Sequence, residues 1–213
     1  MALPPQPALS LIEVFCLSSL LEESKCFSKI IVSSDSKKIL KISENFGASK
    51  NQLRPKKISK DNSTMDEVIK YEIFKENKKI KVDNICCIIA TSPLINSKDI
   101  KQSFQIFKKN KTDYVFSAST YDAPIQRHFF LDKKGFLINR KMEDLNKGSQ
   151  DLKKAYHDAG QFYWGSYESF TSKIHIYNGR SIAYYIPPYR CVDINDKDDW
   201  KKAEAMFKIL KKL

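Results

Sequence analysis

Apolar residues recur along this chain at two alternating periods, and the alternation predicts a fold. Lys29-Ile30-Ile31-Val32-Ser33 is a short β-branched run of strand type. Ser34-Asp35-Ser36 then supplies capping residues for a helical pattern from Lys37 to Phe46, which Gly47 can terminate. Between Thr64 and Phe74, residues Met65, Val68, Ile69 and Ile73 fall on one side of a second helix. Ile85-Cys86-Cys87-Ile88-Ile89-Ala90 is a continuous apolar run, which predicts a strand buried on both faces of a parallel sheet. The turn Thr91-Ser92-Pro93-Leu94 follows, Ser97 is placed to cap a helix reaching about Lys109, and Tyr114 to Ser119 form the next strand. Ile182 to Ile186 resume the sheet, and Asp196 to Leu213 close the chain as an amphipathic, lysine-rich helix.

Strand and helix in alternation indicate an α/β protein with a doubly wound, mostly parallel, Rossmann-like sheet and ligands at the carboxyl ends of its strands. From about 123 to 165 the pattern becomes irregular, charged and aromatic, which predicts a small inserted lobe within a single domain spanning 1–213. There is no internal repeat or low-complexity linker.

Composition changes this picture little. The formal net charge is +12, yet only five of the 37 basic residues are arginines, whereas nucleic-acid surfaces lean on arginine forks. A solvated lysine-rich surface that steers anionic substrates is the expected reading, without nucleic acid as a partner. The five cysteines show no C-x-x-C pair and suit reduced thiols in the cytoplasm. Residues Met1 to Leu21 contain apolar stretches but no basic leader segment, and Glu13 interrupts them, so neither a signal peptide nor a membrane span is expected there.

The richest chemistry lies in Ser149-Gln150-Asp151-Leu152 and the run from Tyr156 through His157-Asp158-Ala159-Gly160-Gln161-Phe162-Tyr163-Trp164-Gly165. Carboxylates, amides, an imidazole and aromatics in such density make poor core and good small-molecule site material. This segment resembles that of the pseudaminic acid cytidylyltransferases, a branch of the CMP-sialate synthetase family. The resemblance covers roughly Lys25 to Leu213. It implies a nucleotidyltransferase fold, CTP and an acidic nine-carbon sugar as substrates, Mg²⁺ as cofactor and a homodimer. It further implies sugar contacts from Gln126, Arg127, Gln150, Asp151, His157, Asp158, Gln161 and Tyr163, with Arg127 suited to the sugar carboxylate. A His-Asp neighbour pair without a serine or cysteine nucleophile motif is also what a structural hydrogen-bonding pair looks like.

Activating such a sugar brings one of its hydroxyls to the α-phosphate of the nucleotide while pyrophosphate leaves, so anionic partners must be neutralised and aligned. Val192-Asp193-Ile194-Asn195 matches the family's Asp-Ile-Asp metal motif, with Asp193 and Asn195 as the implied catalytic and metal-binding positions. Side chains separated by one residue on an extended segment point to the same face. Asn195 brings an oxygen without the charge of the second carboxylate. Arg54, in the segment Arg54-Pro55, and Ser92 are the implied nucleotide contacts.

Three departures lie on the phosphate side: no glycine precedes Lys29 where the family has a glycine-rich phosphate loop, Gly148 replaces a basic residue, and Asn195 replaces an aspartate. They lead to the expectation of an N-terminally truncated chain with impaired turnover. The competing expectations are a non-catalytic sugar-binding or partner subunit of the same descent and, more remotely, a basic nucleic-acid-binding protein.

Overall fold

The structure is a computed structural model that describes residues 20–138, 147–177 and 180–212. Local capping explains where its helices begin. Ser36 caps α1 (Lys37–Asn45) by accepting the Ile39 amide. Thr64 and Glu67 form a reciprocal capping box on α2 (Met65–Asn77). Helix α3 (Ser97–Asn110) is capped by Asn96, one residue before the expected Ser97, because the Asn96 carboxamide oxygen accepts the Asp99 amide at 2.8 Å. Asp196 and Asp199 form a second capping box on α5 (Lys197–Leu210).

The main sheet has four strands: β1 (Asn84–Ile88), β2 (Tyr114–Thr120), β5 (Tyr156–Ser166) and β6 (Ser181–Tyr185), in the order β1-β5-β2-β6. β2 and β6 pair in parallel, while β5 runs antiparallel to both β1 and β2. Three strands therefore share one direction and the sheet is mixed. A separate two-stranded hairpin joins β3 (Phe130–Leu131) to β4 (Leu137–Ile138).

Three expectations need correction. The inserted lobe does not extend to 165, because residues 156–166 form the long strand between β1 and β2. Lys29 to Ser33 make only an isolated parallel bridge, Ile31 to Ser49. Side chains hold that segment instead: Lys29 pairs with Glu76, and the Ser33 hydroxyl donates to Glu72 at 2.7 Å. Finally, β1 is an edge strand among the described residues, so its apolar run is only half-buried.

The pleat of β5 divides the core into two layers. Phe162 and Trp164 are fully buried on one face, beside Ile100 and Phe107 of α3. The Trp164 ring stacks on Phe27 at 5.3 Å and tilts against Phe104 at 4.6 Å, and its indole N–H donates to the Ser103 hydroxyl at 2.9 Å. Tyr163 faces the other way, with Tyr114, Ile73 of α2, and Phe170 of the short helix α4 (Tyr167–Thr171).

The ladder is irregular where the polar half of β5 begins. Ala118 pairs with Asp158 and Phe116 with Tyr163, so β5 spends more residues than β2 between those points. Gly160 takes a positive φ of +63° there, and the Ser117 hydroxyl accepts the Gln161 and Phe162 amides at 2.9 and 3.2 Å. The kink takes residues 159–161 out of register with β2, and His157 and Asp158 return to it opposite Ser119 and Ala118.

Two outcomes follow from this packing. A Cβ on Gly165 would lie 2.8 Å from a ring carbon of Phe170 and 3.0 Å from Tyr114. Gly165→Ala is expected to destabilise the protein by about 1–3 kcal/mol, read as a lower urea midpoint; an unchanged midpoint would show that the rings yield freely. Burial works to raise Glu76, but the Lys29 and Lys79 ammonium groups outweigh it and hold its carboxyl below the usual value. A lowered folded-state pKa means stability present above the ordinary glutamate value of about 4.3 and lost as pH falls through the depressed value. Glu76→Gln should flatten the acid limb of the stability profile, and an unaltered limb would remove Glu76 as its source.

Candidate active site

Asp193 reaches the surface because its neighbours do not. After β6 the chain makes a short turn at Pro188–Arg190, then runs into α5. Val192 and Ile194 are buried with Leu94 and Ala203, and Trp200, Met206 and Phe207 of α5 pack on them. Anchoring those two side chains turns Asp193 and Asn195 outward, both exposed. Asp193 Oδ1 accepts the Thr91 hydroxyl at 3.1 Å, and its Oδ2 accepts the Asn195 side-chain amide at 3.2 Å. The Asn195 main-chain amide donates to Asp199 at 3.0 Å. The turn after β1 and the loop before α5 thus meet at one carboxylate.

Among the described residues no three His, Cys, Asp or Glu side chains gather as a metal cluster. The donor set at Asp193 is one carboxylate, the Thr91 hydroxyl and a carboxamide that presents its oxygen when turned over. Mg²⁺ commonly takes one or two carboxylates and completes its shell with substrate phosphates and water. The residues fit a cation that arrives with a nucleotide.

Ser92 lies deeper than expected for a nucleotide contact. It is buried, and its hydroxyl donates to the Gly160 carbonyl at 3.0 Å, tying the β1 turn to the kink in β5. The hydroxyl that meets the carboxylate is that of Thr91. Gln161 is also fully buried, with its Nε2 donating to the Arg190 carbonyl at 2.6 Å and its Oε1 without a hydrogen-bond partner. Arg54 is half-buried: its main-chain amide donates to the Ser34 carbonyl at 2.8 Å and its Nε to the Ser59 hydroxyl at 3.1 Å. No hydrogen bond among the described residues ties it to the Asp193 group.

The sugar-side candidates divide into two groups. Gln126 donates to the Lys153 carbonyl at 2.7 Å and Arg127 to the Lys147 carbonyl at 2.9 Å, so the turn at Ile125–Arg127 is joined to the segment carrying Gln150 and Asp151. Gln126 Oε1 is buried without a hydrogen-bond partner. Gln150 and Asp151 are exposed, and Gln150 folds over Gly148, where a Cβ would lie 2.3 Å from Nε2. The glycine leaves room for that carboxamide.

Asp158 is an anchor rather than a bare carboxylate. Its Oδ1 accepts the Gly160 amide at 2.8 Å, and its Oδ2 accepts the hydroxyls of Tyr163 at 2.6 Å and Tyr177 at 2.5 Å. Burial pushes the Tyr177 phenol up to about 12, with the Asp158 hydrogen bond adding to it. Tyr163 is raised for the same two reasons. His157 stays clear of the Asp158 carboxylate: its Nδ1 lies 2.7 Å from the Asp158 main-chain carbonyl and its ring packs on Tyr121 at 4.9 Å. The pair is not a catalytic dyad. Thr91, Tyr177 and Arg190 join the site without having been singled out for it from sequence, since only the folded chain shows which hydroxyl or loop residue meets which carboxylate.

Architecture alone places the protein among nucleotidyltransferase folds. CMP:2-keto-3-deoxy-manno-octonic acid synthetase complexed with CTP aligns over 93% of this chain and 88% of its own, with TM-score 0.59 at 8% identity. The 4-diphosphocytidyl-2C-methyl-D-erythritol synthase of Anaerococcus prevotii aligns over 93% and 89%, with TM-score 0.60 at 10% identity. Sequence then narrows the class. The family model described as Cytidylyltransferase matches residues 14–202, starting earlier than the resemblance read from the motifs. Pseudaminic acid cytidylyltransferase of Campylobacter jejuni is 31% identical over 188 residues, covering 87% of this chain and 81% of that protein. A Helicobacter pylori protein named pseudaminic acid cytidylyltransferase and UDP-2,4-diacetamido-2,4,6-trideoxy-beta-L-altropyranose hydrolase is 36% identical over 173 residues, 80% of this chain and 33% of its own length. The chain belongs to the cytidylyltransferase family.

Asn195→Asp should place a second carboxylate beside Asp193 and tighten divalent-cation binding about tenfold, because affinity rises with ligand charge. Asp193→Asn should weaken it at least as much. Mn²⁺ titration followed by electron paramagnetic resonance reads both; equal affinities in all three proteins would remove these residues from any metal site.

Proposed function

We propose that this protein is an enzyme that joins CTP to pseudaminic acid, releasing pyrophosphate. In that reaction a sugar hydroxyl oxygen bonds to the α-phosphorus, the bond to the β-phosphate oxygen breaks, and the hydroxyl proton is released. Family membership supports the cytidylyl transfer, and the relatives named for pseudaminic acid support the sugar. The observation that carries the site is the meeting of Thr91 and Asn195 on the exposed Asp193 carboxylate.

Asp193 and Asn195 would hold Mg²⁺, which supplies charge neutralisation at the phosphates when bound. Arg54 offers a guanidinium fork to phosphate oxygens. Arg127 is matched to the sugar carboxylate, while Gln126, Gln150, Asp151 and His157 offer donors and acceptors to hydroxyl and acylamino groups. Asp158, Gln161 and Tyr163 act from beneath by fixing the β5 kink.

A homodimer is part of the proposal. Phe129, Phe130, Leu131, Phe136, Leu137 and Ile138, on and beside the β3–β4 hairpin, are 49–69% exposed, apolar side chains of the kind that pair with another protein face. A second copy of this chain is the proposed occupant. The cytoplasm is the proposed location: Cys86 and Cys87 are unpaired, and burial pushes the Cys87 thiol up to about 12 and Cys86 well above its usual value. No helix among the described residues is long and apolar enough to cross a membrane.

Pyrophosphate release from CTP and Mg²⁺ is expected with pseudaminic acid and not with N-acetylneuraminic acid. Release with neither sugar, from folded protein, would contradict the enzyme reading and favour the sugar-binding relative. Phe136→Asp is expected to halve the sedimenting mass, and an unchanged mass would move any dimer contact off the hairpin.

A further inference from the structure

The loop that carries Asp193 is bolted to the fold by a buried ion pair that the reaction chemistry leaves unused. Asp99, in the first turn of α3, is 4% exposed. Both of its carboxylate oxygens accept from Arg190, Nη1 to Oδ2 and Nη2 to Oδ1, the latter at 3.3 Å. The Tyr184 hydroxyl of β6 donates to Asp99 Oδ1 at 3.1 Å. The other end of Arg190 is held as well, since its carbonyl accepts the buried Gln161 carboxamide of β5 at 2.6 Å. One residue is therefore fixed to α3 through its guanidinium and to β5 through its backbone.

Only Cys191 and Val192 separate that anchor from Asp193, and Val192 is itself buried under α5. Little slack remains between Arg190 and the exposed carboxylate. A buried pair of opposite charges offers modest net stability compared with an apolar substitute, but it imposes one geometry and penalises loss of either partner. A bidentate arginine fork adds orientation, which a lysine cannot reproduce.

We propose that Asp99 and Arg190 are positioning residues: their pairing, completed by Gln161, fixes the main chain at 190–193 so that Asp193 is held against Thr91. What Asp193 then does rests on the cytidylyltransferase reading; the fixing of the loop does not.

Two variants and a control test this. Asp99→Asn keeps shape while removing charge, Arg190→Lys keeps charge while removing the fork, and Ile73→Ala loosens the opposite core layer without touching the loop. Amide hydrogen exchange at Arg190 and Cys191, whose N–H groups donate to the Pro187 and Pro188 carbonyls, reports the loop. Mn²⁺ binding in the presence of CTP, followed by electron paramagnetic resonance, reports the site. Asp99→Asn is expected to speed exchange at both amides and to weaken Mn²⁺ binding about tenfold, the usual effect of losing an outer-shell partner. Arg190→Lys should act in the same direction and serves as the comparison if Asp99→Asn does not fold. Ile73→Ala should lower the melting temperature and leave both readouts unchanged. Wild-type exchange and Mn²⁺ affinity in the pair variants, or equal shifts in Ile73→Ala, would overturn the proposal. If the wild-type protein binds no Mn²⁺ with CTP, the enzyme reading fails, and exchange at the two amides alone then decides the positioning claim.

Discussion

Strand β5 must present opposite faces to two helical layers, and that alternation is the constraint on which the rest of the molecule depends. Phe162 and Trp164 go to α3 and the Phe27 segment, while Tyr163 goes to α2 and α4. A one-residue slip would exchange the layers and expose the indole, so the aromatic half of the strand has a single permitted register. Because that half is pinned, the polar half from His157 to Gln161 emerges at a defined place. The kink at Gly160, with the Ser117 hydroxyl satisfying the displaced amides, is how a central strand can end in site residues without leaving buried donors unpaired.

The exposed groups that meet at Asp193 are each flanked by a buried residue that cannot move far. Asp193 and Asn195 flank Ile194, held under α5, and Thr91 precedes Ser92, held to the β5 kink. Asp158 spends its oxygens on Gly160, Tyr163 and Tyr177, so its charge stabilises the scaffold around the β5 kink. Such pre-ordering suits a reaction between two anions, where alignment and charge neutralisation supply most of the rate. The net charge of +12 adds a long-range attraction for anionic substrates that salt would screen.

Helices were the readable part of the sequence, because caps lie next to the elements they start. Ser36 occupies the cap position expected of it, and α2 and α5 start after Thr64 and Asp196, where their helical patterns begin, whereas α3 starts from Asn96 and not Ser97. The i, i+2 logic at Asp193 and Asn195 also held, since burial of Val192 and Ile194 is a local apolar signal. Strand β5 looks like part of a lobe in the sequence because its first residues are polar and Gly160 breaks the period. Lys29 to Ser33 look like a strand by composition, but the Lys29–Glu76 and Ser33–Glu72 contacts that hold them are tertiary. Choosing Thr91 over Ser92 required the folded chain. So did Asp99 and Arg190, which are 91 positions apart and carry no mutual signal in the sequence.

The most direct test of the account is where a paramagnetic ion settles when CTP is present. With Mn²⁺ and CTP added to isotopically labelled protein, backbone amide signals of Thr91, Gly160 and Asp193 should broaden first and together, since these residues converge on one point of the fold. Broadening centred instead on the exposed acidic turn at Asp198, with Thr91 and Gly160 untouched, would contradict the site described for this protein.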